Sequence, residues 1–115
     1  MNMSREATAR ANHKSGYNCA QSVTVAFADA LGASPARAME LAPKPRSEGG
    51  KCGAYLAALQ LLRETCPEAV AAFEQRFLQE NGATECGKLR RTGKPCNDLV
   101  GSAARLVEEL TAGSK

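Results

Sequence analysis

Apolar residues recur at three- and four-residue steps along most of this chain, and glycines and prolines interrupt them at short intervals. Such spacing places apolar side chains on one face of an α-helix. Ala and Leu dominate the apolar residues, and aromatic residues are only 4% of the sequence, which also favours helices over a sheet. The pattern therefore predicts an all-α fold, a single compact bundle of five to six helices, with residues 1–115 as one domain.

Capping and stop signals divide the chain into these helices. Asn18 and Gln21 have the spacing of a capping box, Gly32 is a stop signal, and Pro35 suits the first position of a helix. The predicted helices cover residues 5–14, 19–31, 35–42, 52–65 and 67–81, followed by a short turn at Cys86 and a last helix from residue 96. Residues 43–51 are expected to form a loop.

The most informative segment is Gly49-Gly50-Lys51-Cys52-Gly53-Ala54, which precedes the fourth predicted helix. Its first two glycines allow positive φ or a close approach of the backbone to another group. A thiol at a helix start lies near free N–H groups and the positive end of the helix dipole, and both favour a thiolate. We therefore expect Cys52, next to Lys51, to carry a stabilised thiolate and to be the central residue of a functional site.

Three other cysteines, Cys19, Cys86 and Cys96, also lie at predicted helix starts. If the four converge, they form a thiolate-rich pocket that suits a metal or cluster with four Cys ligands, and equally two redox-active dithiols. The sequence has no Cys-x-x-Cys, so it carries neither a zinc ribbon nor a thioredoxin-type motif.

Cys66 is expected to lie apart from these four residues. It follows Cys52 by 14 residues, which corresponds to about 21 Å along a continuous helix. A disulfide needs Cα atoms within about 7 Å. We therefore expect Cys66 to be a core thiol, or a cap before Pro67, at the far end of the fourth helix.

Two groups of cations flank the thiols in the sequence, one within residues 44–51 and one within residues 88–94. Solvated loops explain them, and so does a role in stabilising an anionic site or attracting an acidic redox partner protein. The net charge of +3 is too small to indicate nucleic-acid binding. His13, the only histidine, is expected to be a solvated surface residue.

Several classes of protein find no support in the sequence. No apolar run approaches the roughly 20 residues of a membrane span, and residues 1–18 have no signal-peptide pattern. We therefore expect a cytoplasmic protein, in which cysteines more often serve as metal ligands or redox thiols than as structural disulfides. No paired carboxylates, Ser-His-Asp set or phosphate loop indicates a hydrolase, and nothing indicates the oligomeric state.

The segment from Gly16 to Val23, the Cys52-Gly53-Ala54 core, and Cys86 and Cys96 together resemble the C_GCAxxG_C_C family, small bacterial and archaeal proteins described as redox-active. The resemblance covers nearly the whole chain. One difference is Ala57, which stands where the family core ends in Gly, and Cys66 has no counterpart in the pattern. A similar module occurs fused to some multi-haem cytochromes, where an iron–sulfur cluster has been proposed.

The resemblance implies a redox role for Cys19, Cys52, Cys86 and Cys96. The leading hypothesis is an iron–sulfur cluster, most simply [2Fe–2S], that serves electron transfer or redox sensing. The second is a metal-free thiol–disulfide protein in which pairs of these cysteines cycle. The third is a helical adaptor in which the four cysteines bind zinc and only stabilise the fold.

Overall fold

Eight α-helices and two single 3₁₀ turns form the regular structure of residues 4–112, the part of the chain that the computed structural model describes, and no β-strand occurs there. The helices are α1 (Arg5–Lys14), α2 (Cys19–Ala26), α3 (Pro35–Leu41), α4 (Ser47–Gly50), α5 (Gly53–Thr65), α6 (Val70–Asn81), α7 (Cys86–Arg91) and α8 (Cys96–Ala112). The 3₁₀ turns are Asp29–Leu31 and Pro67–Ala69. None of these helices combines the length and the hydrophobicity that a membrane span requires.

The all-α class is confirmed, but the predicted number of helices is too low. Helix α7 occupies the segment that was expected to be a short turn at Cys86, and α4 lies within the predicted loop over residues 43–51. Helix α4 has only four residues, and two of them, Glu48 and Gly49, have non-helical φ and ψ. An element this short and irregular produces no apolar periodicity, so sequence spacing does not reveal it.

Helix α5 is the central element of the fold. It packs against α2, α6 and α8, and every residue from Gly53 to Leu59 is buried. Ala57 is fully enclosed in this core, so the methyl group that replaces a glycine hydrogen there is accommodated. Because α5 is buried on nearly all sides, its first residues reach the interior of the molecule rather than its surface.

A cluster of three aromatic side chains joins α5 to α6. The ring centroids of Tyr55, Phe73 and Phe77 are 5.2 to 5.7 Å apart. Both phenylalanines are fully buried, and the Tyr55 hydroxyl donates to Glu74 at 3.2 Å. Aromatic pairs at this spacing each contribute roughly 0.5–1.5 kcal/mol beyond their burial.

The first and last helices pack extensively against each other. Arg10 on α1 donates from Nη1 to Asp98 at 3.0 Å and to Asn97 at 3.1 Å, both near the start of α8. Its guanidinium lies over Gly101, where a Cβ atom would overlap it. This packing places the end of α1 beside the start of α8.

Candidate functional site

Each of the four motif cysteines lies at the start of a helix, as the sequence predicts. Cys19, Cys86 and Cys96 are the first residues of α2, α7 and α8, and Cys52 is the N-cap residue of α5. The capping box at α2 is present: the Asn18 side chain accepts from the Gln21 N–H at 2.7 Å, and the Gln21 side chain accepts from the Asn18 N–H at 3.1 Å. This cap fixes the backbone on which Cys19 is mounted.

The structure brings these four cysteines to the wall of one cavity of about 270 Å³. Their exposure increases across it: Cys52 is buried, Cys19 and Cys86 are half-buried, and Cys96 is exposed. Among residues 4–112, no three Cys, His, Asp or Glu side chains are grouped as ligands of a single metal ion. The four cysteines therefore share the wall of one cavity, with a closed side at Cys52 and an open side at Cys96.

The glycine loop before Cys52 positions this residue by its backbone. Gly49 and Gly50 have φ of 82° and 80°, and nothing lies within 4 Å of a Cβ built on either of them. They therefore provide positive φ rather than a close approach. The Cys52 N–H donates to the Thr84 carbonyl at 2.8 Å, so the loop that carries Cys52 is fastened to the segment that leads into Cys86.

The close approach occurs instead at Gly53. A Cβ atom on Gly53 would lie 2.5 Å from Cys19 Sγ and 3.1 Å from Cβ of Pro45. Its φ is not positive, so the residue is glycine for reasons of space and not of backbone conformation. The missing side chain allows the Cys19 sulfur to lie against the first turn of α5.

Burial controls the ionisation of the two inner thiols. Burial is the largest influence on Cys52 and raises its pKa to about 11, although the N–H groups of Tyr55 and Ala54 favour the thiolate. Burial likewise raises the pKa of Cys19, against the opposing effect of the N–H groups of Ala20, Gly53 and Ala54. The helix-start N–H groups act in the expected direction, but desolvation is the stronger effect.

The prediction of a stabilised thiolate at Cys52 is therefore wrong for the metal-free protein. Lys51 does not compensate for the burial, because its Nζ is 3.6 Å from the Glu85 carboxylate and 3.1 Å from Thr84 Oγ1. The position of Cys52 at the enclosed start of a central helix could not be read from its neighbours in sequence.

Charges on neighbouring cysteines influence the ionisation of the two inner thiols, Cys52 and Cys19. A charge on Cys19 or on Cys86 raises the pKa of Cys52, and a charge on Cys96 raises that of Cys19. Like charges have this effect only when they are close enough to repel. A cation or cluster that shares the charge of these thiolates would relieve the repulsion.

Cations from both predicted groups reach the cavity. Arg46, Arg90 and Lys94 contribute to its wall, whereas Lys51 and Lys88 lie 3.6 and 4.0 Å from Glu85. The sequence predicts that both groups flank the thiols, but it does not show which cations line the cavity and which lie beside Glu85. The apolar part of the wall comes from Pro45, Leu89 and Leu99.

His13 is part of this wall, contrary to the expectation of a solvated surface histidine. It is half-buried, lines the cavity, and has Nδ1 3.3 Å from Nδ2 of Asn97. The packing of α1 on α8 brings these two residues together across 84 positions of sequence. No local pattern around His13 signals a contact at that separation.

Cys66 lies outside the cavity, in agreement with the helix-length argument. It is the C-cap residue of α5, directly before Pro67, and it is buried. Its thiol donates to Glu68 Oε1 at 3.3 Å. Of the five cysteines in the sequence, this one is separate from the site.

The comparisons with known proteins agree with this arrangement. The model of the family described as "Putative redox-active protein (C_GCAxxG_C_C)" matches residues 17–110, a range that contains all four cavity cysteines. No curated protein and no solved structure gives a match. Since the match covers most of the chain, this protein belongs to the C_GCAxxG_C_C family of redox-active proteins.

Proposed function

We propose that Cys19, Cys52, Cys86 and Cys96 bind an iron–sulfur cluster, most simply [2Fe–2S], and that the protein serves in electron transfer or redox sensing. The observation that carries this proposal is the convergence of four helix-start thiols on one cavity of about 270 Å³. Four Cys ligands are the usual donor set of such clusters, which take up and release single electrons when bound.

The protonation of the inner thiols supports ligation over thiol exchange. A buried thiol whose pKa is raised to about 11 is a slow nucleophile at neutral pH, because the thiolate is the reactive form. Metal ligation also requires the loss of this proton, but iron displaces the proton, and its positive charge stabilises the thiolate in place of the water that burial excludes. The raised pKa of Cys52 therefore favours the metal-bound alternative.

Each part of the cavity wall has a role in this proposal. The N–H groups of Gly53, Ala54 and Tyr55 favour negative charge on the sulfurs of Cys19 and Cys52. Arg46, Arg90 and Lys94 supply positive charge around the thiolates, and Pro45, Leu89 and Leu99 limit access of water. Hydrogen bonds to sulfur, nearby charge and burial are the influences by which a protein sets the potential of a cluster.

A metal-free redox role is the second candidate, and the exposure of Cys96 is the observation that favours it. A charge on Cys96 raises the pKa of the half-buried Cys19, so these two thiols are close enough to interact. An exposed thiol beside a less exposed one suits the attacking and resolving positions of a dithiol.

Anaerobic purification followed by iron, sulfide, zinc and thiol analysis distinguishes the candidates. Visible absorption that bleaches on reduction, with iron and acid-labile sulfide in equal amounts, supports the cluster. A colourless protein with stoichiometric zinc supports the structural adaptor and contradicts the cluster. A metal-free protein whose thiol count changes reversibly supports the dithiol role.

The matched variants are Cys52→Ser and Cys66→Ala, one inside the cavity and one outside it. We expect Cys52→Ser to lose the cluster or bind it weakly, because one of four thiolate ligands is missing, while the far-UV circular dichroism remains helical. Cys66→Ala should keep the iron content, at a cost on the order of 1 kcal/mol in the free energy of unfolding. Unchanged iron and thiol redox behaviour in Cys52→Ser would contradict the proposed role of this residue.

A further inference from the structure

The positive charge of this protein is concentrated on one short segment beside the cavity. The chain has 15 Lys and Arg against 12 Asp and Glu. Four of these cations and none of the acids lie between Cys86 and Cys96, which leaves eleven cations against twelve acids in the rest of the chain. The cations of this cationic segment are Lys88, Arg90, Arg91 and Lys94.

The arginines of the cationic segment differ from most other arginines in their pairing. Arg90 and Arg91 are exposed and form no ion pair with any residue in the range 4–112, whereas five arginines on other helices each form an ion pair with an acid. These pairs are Arg5–Asp29, Arg10–Asp98, Arg37–Glu40, Arg76–Glu109 and Arg105–Glu80. The two free guanidinium groups are therefore available to carboxylates of another molecule.

The cationic segment also borders the open side of the cavity. It begins at the half-buried Cys86 and ends at the exposed Cys96, whereas Cys52 lies on the closed side. Arg90 and Lys94 line the cavity themselves. A protein that exchanges electrons with the site can therefore approach it across α7 and the α7–α8 connection.

From these observations we infer that the cationic segment Cys86–Cys96 is the docking surface for an acidic one-electron carrier protein. The inference rests on the proposed cluster, since it gives that site its partner class. One electron passes between the docked carrier and the site through the Cys86–Cys96 side, so one partner is oxidised as the other is reduced. No covalent bond forms or breaks.

An acidic protein fits this surface better than a nucleic acid does. The segment has no aromatic side chain on which a base could stack, as bases do in single-strand binding proteins. Nucleic-acid sites also neutralise long rows of phosphates, whereas these four cations occupy a stretch of only eleven residues. Compact complementary charge of this kind steers protein encounters and accelerates association.

Arg91→Glu and Arg63→Glu form the matched pair that tests this inference. Each replaces an exposed arginine in the last turn of a helix, Arg91 in α7 and Arg63 in α5. Arg63 lies ten residues after Gly53, or about 15 Å along the axis of α5. The probe is an acidic flavodoxin, and its association with the purified protein is followed by stopped-flow fluorescence at low and high salt.

At low salt we expect Arg91→Glu to slow association about five- to tenfold and Arg63→Glu to slow it less than twofold. The difference should disappear at high salt, where exposed charges are screened. Equal effects of the two variants would overturn the inference, and so would tighter binding of a 20-nucleotide DNA strand than of flavodoxin.

Because association is measured without electron transfer, the result does not depend on the proposed cluster. Iron is determined on the same samples. If the protein contains no iron but the two variants still differ in association rate, the docking surface is supported and the cluster is contradicted. If the protein contains iron whose absorption bleaches on reduction but the two variants do not differ, the cluster is supported and the docking surface is contradicted.

Discussion

At the scale of single residues, the site depends on the absence of a side chain at Gly53. Gly53 has a hydrogen where any other residue would place a Cβ atom 2.5 Å from Cys19 Sγ. Gly87 provides a matched comparison, because it is also helical with φ that is not positive, and a Cβ there would meet nothing within 4 Å.

We predict opposite effects of alanine at these two glycines. Gly53→Ala should lower the free energy of unfolding by about 1–3 kcal/mol through overpacking and displace the Cys19 sulfur, which reduces iron binding. Gly87→Ala should raise stability by up to about 1 kcal/mol, since alanine is the better helix former. Urea unfolding and iron analysis of both variants check this prediction. Normal stability and iron content in Gly53→Ala would show that the Cys19 sulfur can move aside at no cost.

The ionisation of Cys52 predicts a pH dependence of the metal-free protein. The folded pKa of about 11 exceeds the ordinary value of 9.0, so the folded state keeps its proton where the unfolded state has lost it. The stability that this provides is fully present below pH 9 and is lost as the pH rises from 9 to 11. The loss should amount to about 2–3 kcal/mol.

Urea unfolding of the metal-free wild type and of Cys52→Ser at pH 8 to 10 measures this contribution. The wild type should lose more stability than the variant over that range, because serine does not ionise there. Tyr55, whose pKa burial raises to about 12, is present in both proteins and contributes equally. Parallel curves for the two proteins would contradict a buried, protonated Cys52.

At the scale of helices, the sequence predicted where helices start better than it predicted the tertiary contacts of the residues at those starts. Asn18, Ser34 and Pro35 gave correct first positions because capping is local chemistry between residues at most three positions apart. The burial of Cys52, the approach of Cys19 Sγ to Gly53, and the pairing of Lys51 with Glu85 all depend on residues distant in sequence. These contacts decided the ionisation of the site, and spacing alone could not reveal them.

Two N-caps allow the role of local capping in the site to be measured. Asn18 caps α2, which carries Cys19, and Ser34 caps α3, where its Oγ accepts from the Arg37 N–H at 3.2 Å. Asn18→Ala and Ser34→Ala should each cost about 1 kcal/mol of unfolding free energy. Only Asn18→Ala should accelerate the loss of iron to a chelator. Equal rates of iron loss in the two variants would show that the Asn18 cap does not affect the site.

At the scale of the whole molecule, the site is assembled from four helices, while much of the core lies elsewhere. Helices α2, α5, α7 and α8 each contribute one cysteine, and the aromatic cluster of Tyr55, Phe73 and Phe77 joins α5 to α6. The apolar periodicity that predicted an all-α fold reports this core. It carries no information on the short helices α4 and α7, which lack an apolar stripe of their own, although α7 lines the cavity.

The packing of α1 on α8 has a consequence for how the protein is made. Arg10 and its partner Asp98 are 88 residues apart, and ribosomes add about 5–20 residues per second. The N-terminal helix is therefore synthesised roughly 4–18 s before the helix that covers it. Cys19 and Cys52 are both synthesised before Cys96, so a cofactor that needs all four thiols is fully bound only after the start of α8 has left the ribosome.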